Sequence, residues 1–127
     1  MVNKTLVTAF LFCSVFQFGF TQEFELTSNG RLILGTYQER TASVATGDID
    51  KDGDIDIIVA NGRHWPGHNR IFINNGRGIF TVEKILGDQS STTYAAELAD
   101  LDNDGDLDIA VGNDMAPNYI YKNDGNG

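Results

Sequence analysis

The sequence predicts an all-β fold made of repeated four-stranded antiparallel units, and three observations lead to this prediction. First, the chain repeats itself: Asp48 and Asp100 open two Asp-rich segments, and 100 minus 48 gives an offset of 52 residues. Second, the segments beside these loops are short and rich in β-branched residues, as strands are. Third, no stretch beyond the amino-terminal apolar segment shows a helical period.

Each repeat contains the same strand and turn signals in the same order. Small and apolar residues lead into the acidic segment, a β-branched run leaves it, an alternating strand follows, and a Gly-containing hairpin turn leads to a last strand. In the first repeat these segments are ASVATGD (42–48), IDIIVAN (55–61), RIFIN (70–74) and IFTVEKIL (79–86). In the second repeat they are YAAELAD (94–100), LDIAVGN (107–113) and YIYKN (119–123). Four-stranded units at a period of about 40–50 residues are typical of blades, so we predict a partial β-propeller.

The repeat also predicts where the units begin and end. The triplet Ile33-Leu34-Gly35 matches Ile85-Leu86-Gly87 at the same offset, which predicts the last strand of a preceding blade at about residues 31–37. A blade follows at about 41–87, and an incomplete blade of three strands at about 92–127. A propeller needs at least four blades, so we expect further blades in the same polypeptide.

The first 21 residues have the features of a secretory signal peptide. A short basic segment, MVNK, precedes the apolar run TLVTAFLFCSVFQFGF, and Gly19 and Thr21 place small residues before the predicted cleavage point. A transmembrane anchor needs about 20 apolar residues, whereas this run is shorter and contains Ser14 and Gln17. We therefore predict that residues 22–127 form the mature chain, secreted or at the cell surface, with no membrane span.

The charge distribution indicates cation sites. The chain carries a formal net charge of −9, which argues against nucleic acid as a partner. Five acidic residues lie in the window 46–62 and five in the window 100–108, and no cluster of Lys or Arg in the sequence is dense enough to neutralise them. Because Cys13 lies in the leader, the mature chain has no disulfide, and metal is the alternative source of stability.

The spacing D-x-D-x-D-G-x-x-D provides ligands for a hard cation. Side chains at positions 1, 3 and 5 converge, the glycine at position 6 allows a sharp turn, position 7 offers its carbonyl and position 9 closes the shell, which suits calcium. The predicted carboxylate ligands are Asp48, Asp50, Asp52 and Asp56 in the first loop and Asp100, Asp102, Asp104 and Asp108 in the second. Asp54 and Asp106 are predicted to contribute their carbonyls. The sequence thus predicts two Ca²⁺ sites.

Two alternatives to this interpretation can be weighed on the sequence. An EF-hand needs a bidentate Glu at position 12 and flanking helices, but position 12 is Val59 in one loop and Val111 in the other, and both flanks are predicted strands. Ordinary Asp-Gly hairpin turns would explain one such loop, but two matched loops in register argue for metal binding.

These residues resemble a known family. The segments GDIDKDGDIDIIVANG and ADLDNDGDLDIAVGND, each followed by an N-x-I-[FY] strand and an Asn-Gly-rich turn, are similar to the FG-GAP and VCBS repeats of integrin-alpha-type calcium-binding β-propellers. The resemblance covers essentially the whole mature chain. It implies one calcium ion per blade, bound between the first and second strands, in secreted or surface proteins that mostly bind partners. Residues 22–127 lack the Phe-Gly and Gly-Ala-Pro signatures of the integrin variety, so the mature chain is closer to the bacterial-type repeat.

The sequence contains no recognisable catalytic set. His64 and His68 lie in a loop with Trp65 and Pro66, and a surface loop explains them better than a transition-metal site does. Neither a Ser/His/Asp arrangement nor a phosphate-binding glycine loop before a helix occurs. We therefore predict that this chain is not an enzyme.

Trp65 is the candidate contact for a partner. Strand alternation places the acidic loops on one face and the loops 61–69 and 113–118 on the opposite face, where the two repeats differ. An aromatic residue in a Pro-Gly loop offers a large apolar surface, although Trp65 packed over the blade edge is an equal alternative. The predicted function is a calcium-stabilised binding or adhesion module for an extracellular protein or glycan. The alternative is an accessory propeller of a secreted hydrolase or lyase whose catalytic residues lie beyond residue 127.

Overall fold

The computed structural model describes residues 25–27 and 33–125. The predicted signal peptide, residues 1–21, lies outside the described residues. Strands are the only regular secondary structure in the described part of the chain. Within those same residues, nothing helical is long and apolar enough to cross a membrane.

Among the described residues, seven strands form two antiparallel sheets, which confirms the all-β prediction. The first sheet has the order β1-β2-β3-β4 and the second the order β5-β6-β7. In chain order the strands are β1 Thr41–Gly47, β2 Asp56–Asn61, β3 Arg70–Asn74, β4 Phe80–Ile85, β5 Thr93–Ala99, β6 Asp108–Asn113 and β7 Tyr119–Tyr121. Each sheet follows chain order because short loops connect neighbouring antiparallel strands.

The register of the first two strands is the same in both sheets. Gly47 pairs with Asp56 in the first sheet, and Ala99 pairs with Asp108 in the second. Both pairs stand at the end of the strands, where the acidic loop begins and ends. The sheets therefore hold the two acidic loops in equivalent positions.

The hydrophobic core lies between the two sheets. Successive side chains of a strand point to opposite faces, so Ile58 of β2 and Ile109 of β6 meet in this core. Its buried members are Ile49, Ile58, Ala60, Ile71, Ile73, Leu86, Ala96, Ile109 and Val111. Hydrogen bonds also cross this interface: Ala96 N–H donates to Ser43 Oγ at 3.1 Å, and Asn69 Nδ2 donates to Thr93 Oγ1 at 3.0 Å. The sheets are thus joined by both apolar and polar contacts.

The strand predicted at about residues 31–37 is not formed at residues 33–37, and residues 31 and 32 lie outside the described part. Residues 33–40 instead cross the outer face of the first sheet. The carboxylate of Glu39 accepts from Arg70 Nη2 at 2.7 Å, and the Arg70 guanidinium lies 4.5 Å from the Tyr37 ring centroid. Side-chain contacts of this kind hold the segment on the sheet without strand pairing.

Candidate metal centres

The two acidic loops have the same backbone turn. In the first, Lys51 and Gly53 have positive φ values of 60° and 94°. In the second, Asn103 and Gly105 have values of 62° and 88° at the same loop positions. Glycine adopts this conformation without a Cβ penalty, which is the physical reason for a glycine at position 6. Two left-handed residues reverse the chain sharply enough to turn alternate side chains inward.

Each loop gathers three carboxylates. The groups are Asp48, Asp50 and Asp56 in the first loop, and Asp100, Asp102 and Asp104 in the second, with ligand oxygens that all lie within 4.8 Å of one another. The structure therefore brings together three of the four predicted carboxylate ligands in each loop. Asp52 lies outside the first group, and Asp108 lies outside the second. The roles of all these carboxylates as ligands stay predictions.

The carboxylates of Asp54 and Asp106, at position 7, lie against Gly76 and Gly125 and not in the carboxylate groups. A Cβ atom on Gly76 would lie 2.6 Å from Asp54 Oδ2, and one on Gly125 would lie 2.9 Å from Asp106 Oδ2. Both side chains therefore pack against the backbone of the hairpin turn that follows the third strand. This placement leaves the backbone carbonyl, rather than the carboxylate, as the group that position 7 can offer to an ion.

Hydrogen bonds inside each loop fix the carboxylate at position 1. Asp48 Oδ2 accepts from Gly53 N–H at 3.1 Å, and Asp100 Oδ2 accepts from Gly105 N–H at 3.0 Å. The other oxygen of Asp48, Oδ1, is buried without a hydrogen-bond partner. A buried, unpaired carboxylate oxygen is costly unless a cation or donor meets it, so the first loop fits a bound cation.

Asp56 and Asp108, at position 9 of their loops, are fully buried. Each accepts hydrogen bonds from its own acidic loop and from the chain at the end of the third strand. Asp56 accepts from Ile49 N–H at 2.9 Å and from Asn74 N–H at 2.8 Å. Asp108 accepts from Leu101 N–H at 3.0 Å and from Asn123 N–H at 2.9 Å. Each carboxylate thus connects its acidic loop to the end of the third strand.

Asn74 and Asn123 support the acidic loops through hydrogen bonds, and the sequence interpretation missed them. The side-chain amide of Asn74 donates to Ile55 O at 3.1 Å, and that of Asn123 donates to Leu107 O at 3.2 Å. Asn123 also donates to Ile49 O, at 2.7 Å, across the interface between the sheets. The available signal was the repeat itself, because an asparagine ends the third strand in both copies.

The first loop contains uncompensated negative charge. Partial burial raises the pKa of Asp50, and repulsion from Asp52, Asp56 and Asp48 adds to this rise, although an Asp52 N–H bond opposes it. Within the described part of the chain, the ion pairs do not include a carboxylate of this loop.

The second loop is neutralised in part by two lysines, which the sequence interpretation did not foresee. Lys51, from the first loop, forms an ion pair with Asp106, and Lys122 Nζ lies 2.8 Å from Asp102 Oδ2. The hydrogen bond from Lys122 lowers the pKa of Asp102, which stands at the same loop position as Asp50. The corresponding hydrogen bonds raise the pKa values of both lysines.

Trp65 lies at the opposite end of the sheets from the acidic loops. Its loop connects β2 to β3, and Gly67 pairs with Ser91 just before β5. The Trp65 side chain is 63% exposed, and the Arg40 guanidinium lies 5.9 Å from its ring centroid. The indole is therefore presented to solvent, and its role in partner binding stays a prediction.

The two histidines of that loop make separate contacts. His64 Nδ1 hydrogen-bonds to the Tyr94 hydroxyl at 2.8 Å, and the His68 carbonyl accepts from Asn61 Nδ2 at 2.9 Å. Among the residues that the structure describes, neither histidine belongs to a group that could hold a metal ion.

Together, the fold and the loops define a class: an all-β repeat module in which each unit carries an acid-rich loop between its first two strands. The model of the FG-GAP-like repeat matches residues 48–111, which include both acidic loops and the strands between them. The chain belongs to the FG-GAP-like repeat family. No curated protein and no solved structure matches it.

Proposed function

We propose that this chain is a calcium-binding, β-propeller-type repeat module that binds an extracellular protein or glycan and has no catalytic activity of its own. One observation carries the proposal: two acidic loops with the same backbone turn each gather three carboxylates within 4.8 Å. Membership in the FG-GAP-like repeat family favours the same interpretation.

Calcium is the cation that the donor set fits best. Carboxylate and carbonyl oxygens are hard ligands, and calcium takes six to eight of them in a flexible arrangement. In the first loop, Asp48, Asp50 and Asp56 would hold the ion, and the unpaired Oδ1 of Asp48 is an available ligand. In the second loop, Asp100, Asp102 and Asp104 would do so. Bound calcium would neutralise carboxylates that otherwise repel one another.

The way the two sheets pack favours a repeating array of blades. The first sheet contributes Ile58 and Ala60 to the shared core, whereas the second contributes Ile109 and Val111. At the offset of 52 residues, Ile57 and Val59 of the first sheet correspond to Ile109 and Val111, so the two sheets meet through opposite faces. An interface of this kind can be repeated from one unit to the next, as it is in propellers and solenoids.

The opposite end of the module is suited to partner binding. Trp65 is exposed there, on one of the two loops that differ between the repeats. Exposed aromatic residues on loops contribute large contact areas at little cost in side-chain entropy. Extracellular calcium modules bind at about 10⁻⁴ to 10⁻³ M, which is the affinity that the proposed secreted or cell-surface location leads us to expect.

Calorimetric titration of the full chain with calcium tests the metal proposal. We expect two equivalents to bind, with dissociation constants of about 10⁻⁴ to 10⁻³ M, and magnesium to compete poorly. Asp50→Ala and Asp102→Ala should each remove one equivalent. Asp88→Ala, at an exposed position outside both loops, is the matched control and should remove none. A chain that binds no calcium, or that binds magnesium equally well, contradicts the proposal.

A glycan array and a cell-surface protein pull-down, both in calcium, would identify the partner, and Trp65→Ala then tests the proposed contact. We expect this substitution to weaken partner binding at least tenfold, in the range of an interface hot spot, without changing calcium affinity. Met115→Ala, at a 99% exposed position on the other loop of the same end, is the control for general loop changes. Unchanged partner binding in Trp65→Ala would remove this residue from the proposal.

A further inference from the structure

The two acidic loops differ in the cations around them. Lys51 leaves the first loop and forms an ion pair with Asp106, at position 7 of the second. Lys122 lies directly after β7 and places its ammonium 2.8 Å from Asp102 Oδ2. Asp102 belongs to the carboxylate group of the second loop, so one ammonium contacts a proposed ligand and the other contacts the same loop.

The repeat offers no equivalent lysines to the first loop. Asn103 occupies in the second loop the position that Lys51 occupies in the first, and it is uncharged. Ile73 occupies in β3 the position that corresponds to Lys122, because 122 minus 73 equals the local offset of 49 residues. Within residues 25–27 and 33–125, no ion pair reaches Asp48, Asp50 or Asp56. The asymmetry is therefore built into the sequences of the two repeats.

We infer that Lys51 and Lys122 are built-in counter-ions of the second acidic loop, which make it the weaker of the two calcium sites. This inference rests on the proposed calcium binding. A calcium ion in the second loop shares its carboxylates with one ammonium and is repelled by two, whereas among the described residues no ammonium pairs with the carboxylates of the first loop. At about 5 Å and the dielectric constant of water, repulsion between a double and a single charge lowers affinity roughly tenfold, and salt reduces this to several-fold.

The lysine contacts also link the two loops. Lys51 is held by the backbone turn of the first loop, where its φ value is 60°. Its side chain reaches the second loop, and its ammonium lies 3.7 Å from the Cβ position of Gly105. Lys51 therefore places a cation carried by the first loop against the second loop.

A site-resolved titration tests the inference. The amides of Gly53 and Gly105 each donate to the position-1 carboxylate of their own loop, so their NMR resonances report calcium binding at each loop separately. The full chain would be titrated with calcium as wild type, Lys51→Met, Lys122→Met and the control Lys84→Met. Methionine removes the charge and keeps much of the side-chain length, and Lys84 lies on β4, outside both loops. The two test lysines are 50% and 67% exposed, so their replacement leaves the core intact.

We expect Gly53 to respond at a lower calcium concentration than Gly105 in the wild type. Lys51→Met and Lys122→Met should each lower the midpoint of Gly105 by about threefold to tenfold and leave Gly53 unchanged. Lys84→Met should move neither midpoint. If both glycines respond to calcium but neither lysine variant shifts Gly105, the inference is overturned and the calcium proposal stands. If neither glycine responds, both are overturned.

Discussion

Replacement of Asp56 by asparagine removes one half of the link between the first acidic loop and the end of β3. Asp56 is fully buried, and its two oxygens accept from the backbone N–H groups of Ile49 and Asn74. Asparagine has the same shape but only one acceptor oxygen. Its amide group would face one of these two N–H groups, so that donor would lose its partner inside the protein.

The magnitude follows from these two bonds. A hydrogen bond to a charged acceptor contributes about 1.5–3 kcal/mol, and a buried donor left unpaired costs about 1–3 kcal/mol. We therefore expect Asp56→Asn to lower the free energy of unfolding by about 3 kcal/mol, which corresponds to a decrease in Tm of about 10 °C. Because both partners are backbone groups, the loss should persist in the presence of a chelator.

Urea denaturation of the full chain in EDTA, followed by circular dichroism, measures this effect without calcium. Asp52→Asn is the matched control, since Asp52 is exposed and accepts one bond, from Asp54 N–H at 2.9 Å, that an asparagine oxygen can also accept. We expect the control to change stability by less than about 0.5 kcal/mol. If Asp56→Asn is as stable as Asp52→Asn in EDTA, Asp56 does not anchor the loop and the reasoning is refuted.

Two further predictions concern the contact between the sheets. Gly62→Ala should lower stability by more than about 3 kcal/mol, because the new Cβ would lie 2.1 Å from the backbone carbonyl oxygen of Ser91 and φ is 120°; Gly53→Ala, at φ 94° with nothing within 4 Å, should cost only about 1 kcal/mol. Equal costs for the two variants in thermal melts would contradict the packing of this loop on the second sheet. Burial raises the pKa of Tyr121, so its contribution to stability is complete below its ordinary value near 10 and is lost as pH rises through the raised value. Tyr121→Phe should therefore stay folded further into the alkaline range than wild type in melts at increasing pH, and an identical alkaline loss in both proteins would show that the pKa of Tyr121 is the same in the folded and unfolded states.

The strands and loops were predictable because their signals are local. The β-branched run 55–61 leaves the acidic loop in the sequence, and the structure has β2 at Asp56–Asn61. Local signals did not predict the structure of the segment near residue 33, where the expected strand is not formed at residues 33–37. Gly35 and Gly87 match at the offset of 52 residues and have similar φ values, 70° and 72°. The repeat therefore identified a shared backbone conformation, but strand formation also depends on a pairing partner, which local sequence does not specify.

The spacing of the carboxylates predicted which residues meet in each loop but not how the loops differ. Asp48, Asp50 and Asp56 are close together because of short-range turn geometry, which the D-x-D-x-D-G-x-x-D pattern encodes. The contact of Lys51 with Asp106 joins the acidic loops of two different sheets. Such a contact depends on how the sheets pack, and no spacing within one repeat contains that information.

The hydrogen bonds of the acidic loops indicate a division of roles among their carboxylates. Position 9 is buried and uses both oxygens to hold backbone N–H groups, and position 1 uses one oxygen to close the turn. Groups of the chain itself thus hold the turn. Among the described residues, no ion pair reaches the carboxylates of the first loop, where Asp50 faces three other carboxylates and its pKa is raised. A cation that binds there would stabilise the protein by relieving this repulsion. Its contribution should be larger in the first loop, because among the described residues the lysine ion pairs reach only the second loop.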